Sequence, residues 1–496
     1  MKKIIFASFL TILFIASSCS KKEEENEITE PDFVVTLDDE INFFIWKGLK
    51  NYYLWEKDVS DLADDRFNNI EELYTYFRNY DSPESTFNNL LFRPGNVDRF
   101  SWIVDDYVAL ENSFQGINTT TGMEFGLKRY QNSNTNVYGY VRYVIPNSSA
   151  ATEKVKRGMI FSSVNGTQLT DSNFRTLLFG NNSSFSIGLA NYNNGNPISN
   201  GTTISLTKAE VQENPIAVSK VITEGNKKIG YLMYNQFARN YDGELNAVFN
   251  FLKAENVSDL IIDLRYNGGG SITTASYLGS MVTGQFGGQV YSKEVWNEAI
   301  TKGTPADRFI NNFPTKIRNT DNTGNVILEE NINSLGLTKV YFIVSGSTAS
   351  ASELVINSLS AYIDVEVVGT TTVGKQVGSI TLYDSESLFR NGKNLNPKHT
   401  YAMQPIVLEI TNKNGENYPN GIVPGTNFTG INLAEDVGDL GVLGERSDPL
   451  LDRTLTYILT GKKTFGKNKA SFVNTEEIFN SKLATPASNN MFTDFK

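Results

Sequence analysis

The sequence has almost no histidine or cysteine: of its 496 residues, one is histidine and one is cysteine. Zinc sites built from these side chains need several ligands, so the composition argues strongly against such a site. A catalytic Cys–His pair is excluded, because Cys19 lies at the end of an apolar N-terminal segment typical of an export signal. A Ser–His–Asp triad would have to use His399, which lies in a polar stretch without a supporting motif. An exposed loop histidine is the favoured interpretation.

Clusters of basic residues are also scarce. The net charge is −11, and no long run of Lys or Arg follows the first few residues. Since binding to nucleic acid depends on clustered basic side chains that neutralise phosphates, we expect no nucleic-acid partner. Hydrophobic residues make up 40% and charged residues 20%, as in chains that fold around apolar cores. The length predicts about three domains, and no metal or cofactor is implied.

The N-terminus has the pattern of a secretory signal peptide, residues 1–19. A basic start precedes the apolar run 4–15, which is too short to span a bilayer comfortably. The following Ala-Ser-Ser-Cys resembles a bacterial lipobox, in which the cysteine, here Cys19, is acylated. Ala16 departs from it, since the usual lipobox has Leu at that position. The alternative is ordinary signal cleavage that leaves a free cysteine.

Residues 20–36 are polar and charged, without core-forming side chains, and are typical of a flexible tether. With an acylated cysteine before it, this segment predicts a membrane attachment through one lipid anchor. The expected location is therefore the bacterial cell envelope, on the periplasmic face or the cell surface of the outer membrane.

Three further segments differ in pattern. Residues 37–115 predict an N-terminal helical domain, because apolar side chains follow an acidic start at helical spacing. Strands alternate with helices across residues 207–468, which favours an α/β layer architecture. Residues 469–496 form a polar tail that we expect to pack weakly.

Residues 116–206 have short strands and turns, and their order resembles a PDZ domain. The segment 158–166 is similar to the PDZ strand and turn that end in Val-Asn-Gly, although Met159 stands where an Asp is usual. The place of the PDZ carboxylate-binding loop is taken by Glu124, Phe125, Gly126 and Leu127. The resemblance implies that this loop binds a terminal carboxylate and that the adjacent strand edge accepts an extended peptide. The alternative is a PDZ-shaped spacer that binds nothing.

A glycine run follows a buried strand near the middle of the chain. The strand ends in Asp263-Leu264-Arg265, and three glycines stand at 268–270. Glycines at a strand end let backbone N–H groups converge on one point without obstruction by side chains. Such convergence is what an oxyanion hole requires, although glycine-rich turns have many other uses.

A cluster of small residues follows a second strand, 340–344, and opens a helix. Within it, Ser350 stands at the strand-to-helix junction, where a hydroxyl is presented at the sheet edge near the positive helix terminus. Ser352 is the competing candidate for a nucleophile. Lys375 follows 25 positions after Ser350 and directly after a glycine.

Together these segments resemble the carboxyl-terminal processing peptidases of family S41. The resemblance implies an α/β catalytic domain with a crotonase/ClpP-like layered sheet, a PDZ-like β-rich domain and an N-terminal helical domain. By position, it makes Ser350 the nucleophile and Lys375 the general base. It assigns the oxyanion hole to the backbone N–H of Ala351 and one from Gly269 or Gly270.

A lysine acts as a base only when neutral, so its pKa must be lowered by burial or by positive potential. The near absence of histidine makes a lysine base the simplest choice even without the family. Many family members carry a Gln four positions after the lysine, where this chain has Ser379, so Ser379 or water is expected to orient Lys375. Asp263, Arg265 and Glu353 are expected to fix the loops.

The resulting hypothesis is a serine endopeptidase with a Ser–Lys dyad. It would cleave envelope or extracellular proteins and engage peptide or protein segments through the PDZ-like domain. A catalytically silent, peptide-binding lipoprotein is the main alternative. A non-peptidase hydrolase on the same architecture is a weaker one, since a fold does not determine its substrate.

Overall fold

A computed structural model describes residues 33–321, 323–463 and 476–494. The predicted signal peptide, Cys19 and most of the predicted tether lie outside the described residues. The α-helices are α1 (Leu37–Tyr52), α2 (Ile70–Phe77), α3 (Pro83–Asn89), α4 (Tyr107–Phe114), α5 (Ser149–Thr152), α6 (Phe174–Phe179), α7 (Asp242–Ala254), α8 (Ile272–Thr283), α9 (Glu298–Gly303), α10 (Ala351–Ser360) and α11 (Pro449–Thr460). Within the described ranges, no helix is long and apolar enough to cross a bilayer.

The strands alternate with these helices through much of the chain. In chain order they are β1 (Trp102–Val104), β2 (Ile117–Thr120), β3 (Met123–Arg129), β4 (Val137–Val144), β5 (Ile160–Val164), β6 (Thr167–Gln168), β7 (Ser184–Asn191), β8 (Ile198–Thr207), β9 (Ala209–Gln212), β10 (Ile216–Glu224), β11 (Lys227–Tyr234), β12 (Asp259–Asp263), β13 (Gly270–Ser271), β14 (Val290–Trp296), β15 (Ile310–Asn312), β16 (Lys316–Thr320), β17 (Val326–Asn331), β18 (Lys339–Val344), β19 (Asp364–Gly369), β20 (Val377–Ser379), β21 (Leu382–Tyr383), β22 (Ala402–Gln404), β23 (Ile406–Thr411), β24 (Thr429–Asn432), β25 (Glu477–Asn480) and β26 (Met491–Phe492). Single turns of 3-10 helix lie between them, one of them at Ser481–Ala484.

The central sheet has the order β10-β11-β12-β18-β19-β24. It is parallel from β11 to β24, and its strands are apolar on both faces, as expected when helices cover both sides. One face packs against α7, α8 and α10 in the largest apolar cluster, and the other packs against α11. Because β12 and β18 are parallel neighbours, the loops that follow them begin at the same sheet edge. The expected α/β alternation is therefore present.

A second sheet lies beyond this edge, in the order β13-β26-β20-β23-β14-β15. Its strand β26 comes from the C-terminal segment and pairs in parallel with β13 and β20. Met491 in this strand is fully buried. The expectation that the C-terminal tail packs weakly is therefore wrong for residues 476–494, because their backbone completes sheets that local hydropathy does not reveal.

A third sheet contains most of residues 116–206, in the order β25-β3-β4-β5-β7-β8, with β6 beside β5. It has an apolar cluster of its own, to which α6 contributes Phe174 and Leu178. Residues 124–127 lie inside β3 and are buried there. They therefore form a strand, and the sequence expectation of a loop at these positions is wrong. We call this region, residues 116–206, the β module.

The N-terminal helices are built into the core of the central sheet. Ile41, Phe44 and Leu49 of α1 belong to the same apolar cluster as the buried face of α10. Tyr53 after α1 is buried and donates a hydrogen bond of 2.7 Å to the carboxylate of Asp98. This contact fixes the loop around Asp98, which reaches the predicted catalytic lysine.

Candidate active site

Ser350 lies between β18 and α10 in a strained backbone conformation. Its φ angle is +66°, which a residue with a side chain rarely adopts outside tight functional turns. This strand–turn–helix arrangement is the one that presents a nucleophile at the top of a sheet. The side chain is fully buried, and its Oγ faces the first turn of α10 without a hydrogen bond of ordinary geometry. The hydroxyl is thus held in place by the backbone.

Lys375 lies in the loop between β19 and β20 and is 2% exposed. Its Nζ is 4.9 Å from the centre of the Phe100 ring. Burial lowers the pKa of Lys375 to about 7, an effect that the carboxylates of Asp98 and Glu353 partly oppose. Among the described residues, no carboxylate pairs directly with this amine. At this pKa, part of the Lys375 amine is neutral near pH 7, as a lysine base requires.

Glu353 connects the serine turn to the lysine loop. Its carboxylate accepts hydrogen bonds from the backbone N–H groups of Ser350 (2.8 Å), Lys375 (2.9 Å) and Gly374 (2.7 Å), and from the Thr372 hydroxyl. Burial raises the pKa of Glu353, whereas these donors lower it. One carboxylate thus fixes the backbone of both candidate catalytic residues.

Ser350 and Lys375 line one small pocket, together with Glu353, Tyr418 and Met491. No hydrogen bond joins the Lys375 Nζ to the Ser350 Oγ in this arrangement. The Nζ instead donates a hydrogen bond of 2.7 Å to the backbone carbonyl of Asn489.

The glycine run passes directly beside the serine. Gly269 and Gly270 have φ angles of +116° and +133°. A Cβ atom on Gly269 would lie 2.5 Å from the Ser350 Cβ and 3.1 Å from the Ala351 nitrogen, so a side chain does not fit there. Ala351 opens α10, where the first backbone N–H groups have no acceptor within the helix. The N–H of Gly270 points to the Asn490 carbonyl at 2.6 Å.

Comparisons with known proteins show what the chain is similar to. The model of peptidase family S41 matches residues 228–394, and the model of the S41 N-terminal domain matches residues 40–102. The matched residues belong to peptidase family S41. A solved Bacteroides fragilis protein described as an S41 protease is 20% identical, with a TM-score of 0.62 over 87% of this chain and 99% of that one. The photosystem II D1 C-terminal processing protease is 17% identical, with a TM-score of 0.48 over 84% of this chain and 100% of that one.

Ser379, expected to orient the lysine, and Ser352, the competing nucleophile candidate, both have partners other than Lys375. The Ser379 hydroxyl donates to Gln404 Oε1 at 2.5 Å and lies 2.9 Å from Asn490 Oδ1, with no hydrogen bond to Lys375. The expectation that Ser379 orients the lysine directly does not match this geometry, because its hydroxyl contacts the C-terminal segment. Ser352 donates to the Asn267 carbonyl at 3.2 Å and faces the glycine loop.

Asp263 and Arg265 form a buried ionic cluster at the end of β12. Arg265 is fully buried and pairs with Asp263 (2.6 Å), Glu435 (3.0 Å) and Asp448 (2.9 Å). Burial raises the pKa of Glu435, but the guanidinium groups of Arg157 and Arg265 outweigh this effect and lower the pKa to about 2. Arg157 belongs to the β module, so the cluster also joins this module to the catalytic sheet.

His399 takes no part in this site. Its ring is 5% exposed, pairs with Asp384 at 3.0 Å and packs against Phe44 and Tyr401. The expectation of an exposed loop histidine is wrong about exposure, because α1 covers the ring.

Several site residues had no local signal in the sequence. Asn489 and Asn490 come from a polar segment, and Phe100 comes from the loop after α3. Asn267 lies inside the glycine motif, where its side-chain oxygen accepts from the Gly269 N–H at 2.8 Å. A polar residue next to the glycines was a usable signal for Asn267, whereas the other contacts depend on tertiary structure.

Proposed function

We propose that this chain is a serine endopeptidase in which Ser350 is the nucleophile and Lys375 the general base. The observation that carries the proposal is the burial of Lys375, with its pKa lowered to about 7, in the pocket that it shares with Ser350. A neutral amine accepts a proton, and a serine on a strained turn beside a helix N-terminus is placed to attack a carbonyl.

The reaction follows from these positions. As the Ser350 Oγ attacks the substrate carbonyl carbon, its proton passes to the neutral Lys375 amine. The ammonium then protonates the leaving amine, the C–N bond breaks, and an acyl-enzyme remains. Lys375, neutral again, takes a proton from water as the water attacks the ester carbonyl. The ammonium then returns this proton to the Ser350 Oγ as the ester C–O bond breaks, which releases the acid and regenerates the serine hydroxyl. The backbone N–H groups of Ala351 and Gly270 would stabilise the oxyanion, since the Gly269 N–H donates to the Asn267 side chain.

The remaining parts of the proposal concern substrates and location. The β module would act as a PDZ-like domain that engages an extended peptide along β3, and the layered catalytic region would be of the crotonase/ClpP-like type. Substrates would be envelope or extracellular proteins, because the N-terminus has a lipobox-like Cys19 that predicts a lipid anchor.

The test compares cleavage of casein and of a fluorogenic peptide by wild type, Ser350→Ala and Lys375→Ala. Both variants should lose at least about 10³-fold in kcat/KM. Ser352→Ala is the matched control and should retain most activity, because its hydroxyl donates to the Asn267 carbonyl and Ser352 does not line the pocket of Ser350 and Lys375. Equal cleavage by wild type and Ser350→Ala would refute the proposal.

The second candidate function is a silent peptide-binding protein. It is favoured by the absence of a hydrogen bond between the Lys375 Nζ and the Ser350 Oγ, since the amine bonds to Asn489 instead. A fluorophosphonate probe distinguishes the two, because it labels an activated serine. Labelling of wild type but not of Ser350→Ala favours the peptidase, and a lack of labelling with retained peptide binding favours the binder.

A further inference from the structure

The C-terminal segment 476–494 contacts the β module first and the catalytic residues afterwards. Its strand β25 pairs antiparallel with β3, and its strand β26 lies between β13 and β20. A cleft between the two regions is lined by Phe125, Phe179, Gly269 and Gly270, and by residues of this same segment. The segment therefore follows a continuous path from the β module to the glycine loop.

On the β module the segment binds as an added strand. Phe479 pairs with Leu127 in register, and its ring packs 5.3 Å from the Phe174 ring and 5.4 Å from the Phe179 ring. The guanidinium of Arg175 lies 4.4 Å from the same ring. Addition of an extended chain to a sheet edge is a general mode of peptide recognition, in which side-chain pockets supply the specificity.

An acidic side chain precedes the aromatic one by two positions. Glu477 pairs with the buried guanidinium of Arg142 at 2.6 Å and also accepts a hydrogen bond from the Tyr140 hydroxyl. Desolvated, charge-assisted contacts of this kind discriminate strongly between partners. The groove thus holds an acidic residue and, two positions later, an aromatic one.

The far end of the groove does not suit a terminal carboxylate. The Phe125 N–H donates to the Ser481 hydroxyl at 2.9 Å, and this hydroxyl in turn contacts the carboxylate of Glu124 at 2.6 Å. Burial raises the pKa of Glu124, so this site already disfavours a charged carboxylate, and a terminal carboxylate would be disfavoured there for the same reason. The groove therefore suits an internal segment that continues onward better than it suits a chain end.

Further along, the segment occupies the groups that catalysis requires. The Asn489 carbonyl accepts a hydrogen bond of 2.7 Å from the Lys375 Nζ. The Asn490 carbonyl accepts one of 2.6 Å from the Gly270 N–H, where a substrate oxyanion would bind. Met491 then closes the pocket beside Ser350.

We propose that residues 476–494 are a built-in substrate mimic, and that substrates displace it with an internal extended segment carrying an acidic residue two positions before an aromatic one. This inference rests on the proposed function. It predicts a resting state in which the chain excludes peptides from its own active site.

The test weakens the segment at Phe479, which lies outside the catalytic machinery. Phe479→Ala should increase kcat/KM for a fluorogenic peptide at least about tenfold, and the rate of fluorophosphonate labelling by a similar factor. The reason is that the segment 476–494 is displaced from the active site in a larger fraction of the molecules. Leu483→Ala is the matched apolar control, since this side chain is 39% exposed, and should behave as wild type. A folded Phe479→Ala variant, with unchanged circular dichroism, that reacts no faster would overturn the inference. If this variant does not fold, Glu477→Gln serves in its place.

A binding experiment tests the specificity without catalysis. A fluorescent peptide copying residues 476–485 should bind the Ser350→Ala, Phe479→Ala double variant at least about tenfold more tightly than it binds Ser350→Ala alone. Replacement of the Glu or the Phe within the peptide should abolish this binding. Equal binding of the original and replaced peptides would sink the proposed specificity. Loss of cleavage and labelling in every variant, with selective binding retained, would instead contradict the peptidase proposal.

Discussion

The pH dependence of kcat tests the role of Lys375. In this structure, burial lowers the pKa of Lys375 from 10.5 to about 7. With that pKa, about 9% of the amine is neutral at pH 6 and about 91% at pH 8. At saturating peptide the substrate covers the amine as the C-terminal segment does, so kcat should rise about tenfold between these pH values.

The assay measures initial rates on a quenched fluorescent peptide from pH 5.5 to 9.5 at constant ionic strength. Lys375→Arg is the matched control, because a guanidinium stays charged across this range and cannot act as a base. It should be inactive at every pH. Full activity at pH 5, or an active Lys375→Arg variant, would refute the neutral-lysine mechanism.

The same shift has a consequence for stability. Between pH 7 and 10.5 the unfolded chain binds a proton at Lys375 that the folded chain does not. The unfolding free energy therefore rises with pH in this window. It is highest above the unfolded pKa of 10.5 and falls as the pH decreases towards 7. Within the window the slope is about 1.4 kcal/mol per pH unit. Lys375→Met should remove this slope, as measured by urea unfolding at several pH values, and an unchanged slope would contradict the lowered pKa.

Three further predictions concern other residues. Ser350→Ala should abolish fluorophosphonate labelling while Ser352→Ala retains it, and the reverse result would exchange their roles. Arg265→Met should lower the free energy of unfolding by about 3–5 kcal/mol, because it leaves buried carboxylates without a counter-ion. The exposed Arg308→Met serves as the control and should change it by less than about 0.5 kcal/mol in urea unfolding. Cys19→Ser should abolish incorporation of labelled fatty acid and move the protein from the membrane pellet to the soluble fraction, and unchanged incorporation would exclude a lipid anchor at this position.

The sequence was informative where function depends on short segments at strand ends. The S41 resemblance of two segments, each an apolar strand followed by small residues, implied that the glycine run and Ser350 would meet. They do so because β12 and β18 are parallel neighbours. Glu353 was expected to fix the loops, and its carboxylate accepts four hydrogen bonds from the serine turn and the lysine loop.

The sequence was uninformative about the C-terminal segment. Asn489 lies 114 positions after Lys375 in the chain, and its contact uses a backbone carbonyl, which no residue type signals. The strand β26 is two residues long, too short for any periodicity to be visible. The burial of His399 was missed for a related reason, since the ring is covered by Phe44, which is distant in the chain.

The origin of the lowered pKa leads to a last prediction. Lys375 is kept dry partly by Phe100, which lies in the loop between α3 and β1, and partly by Asn489 and Met491 of the C-terminal segment. When that segment leaves, water reaches the amine until a substrate takes its place. The pKa of Lys375 should therefore be lowest when a peptide, either the C-terminal segment or a substrate, covers its amine.

Two pH profiles of the Phe479→Ala variant test this idea. Its kcat/KM reports the uncovered free enzyme, whereas its kcat reports the complex. We expect the apparent pKa from kcat/KM to be the higher of the two, because desolvation is incomplete without peptide. Equal values would mean that the fixed contacts, Phe100 among them, keep Lys375 dry by themselves. In that case the C-terminal segment would block the site without helping to form the base.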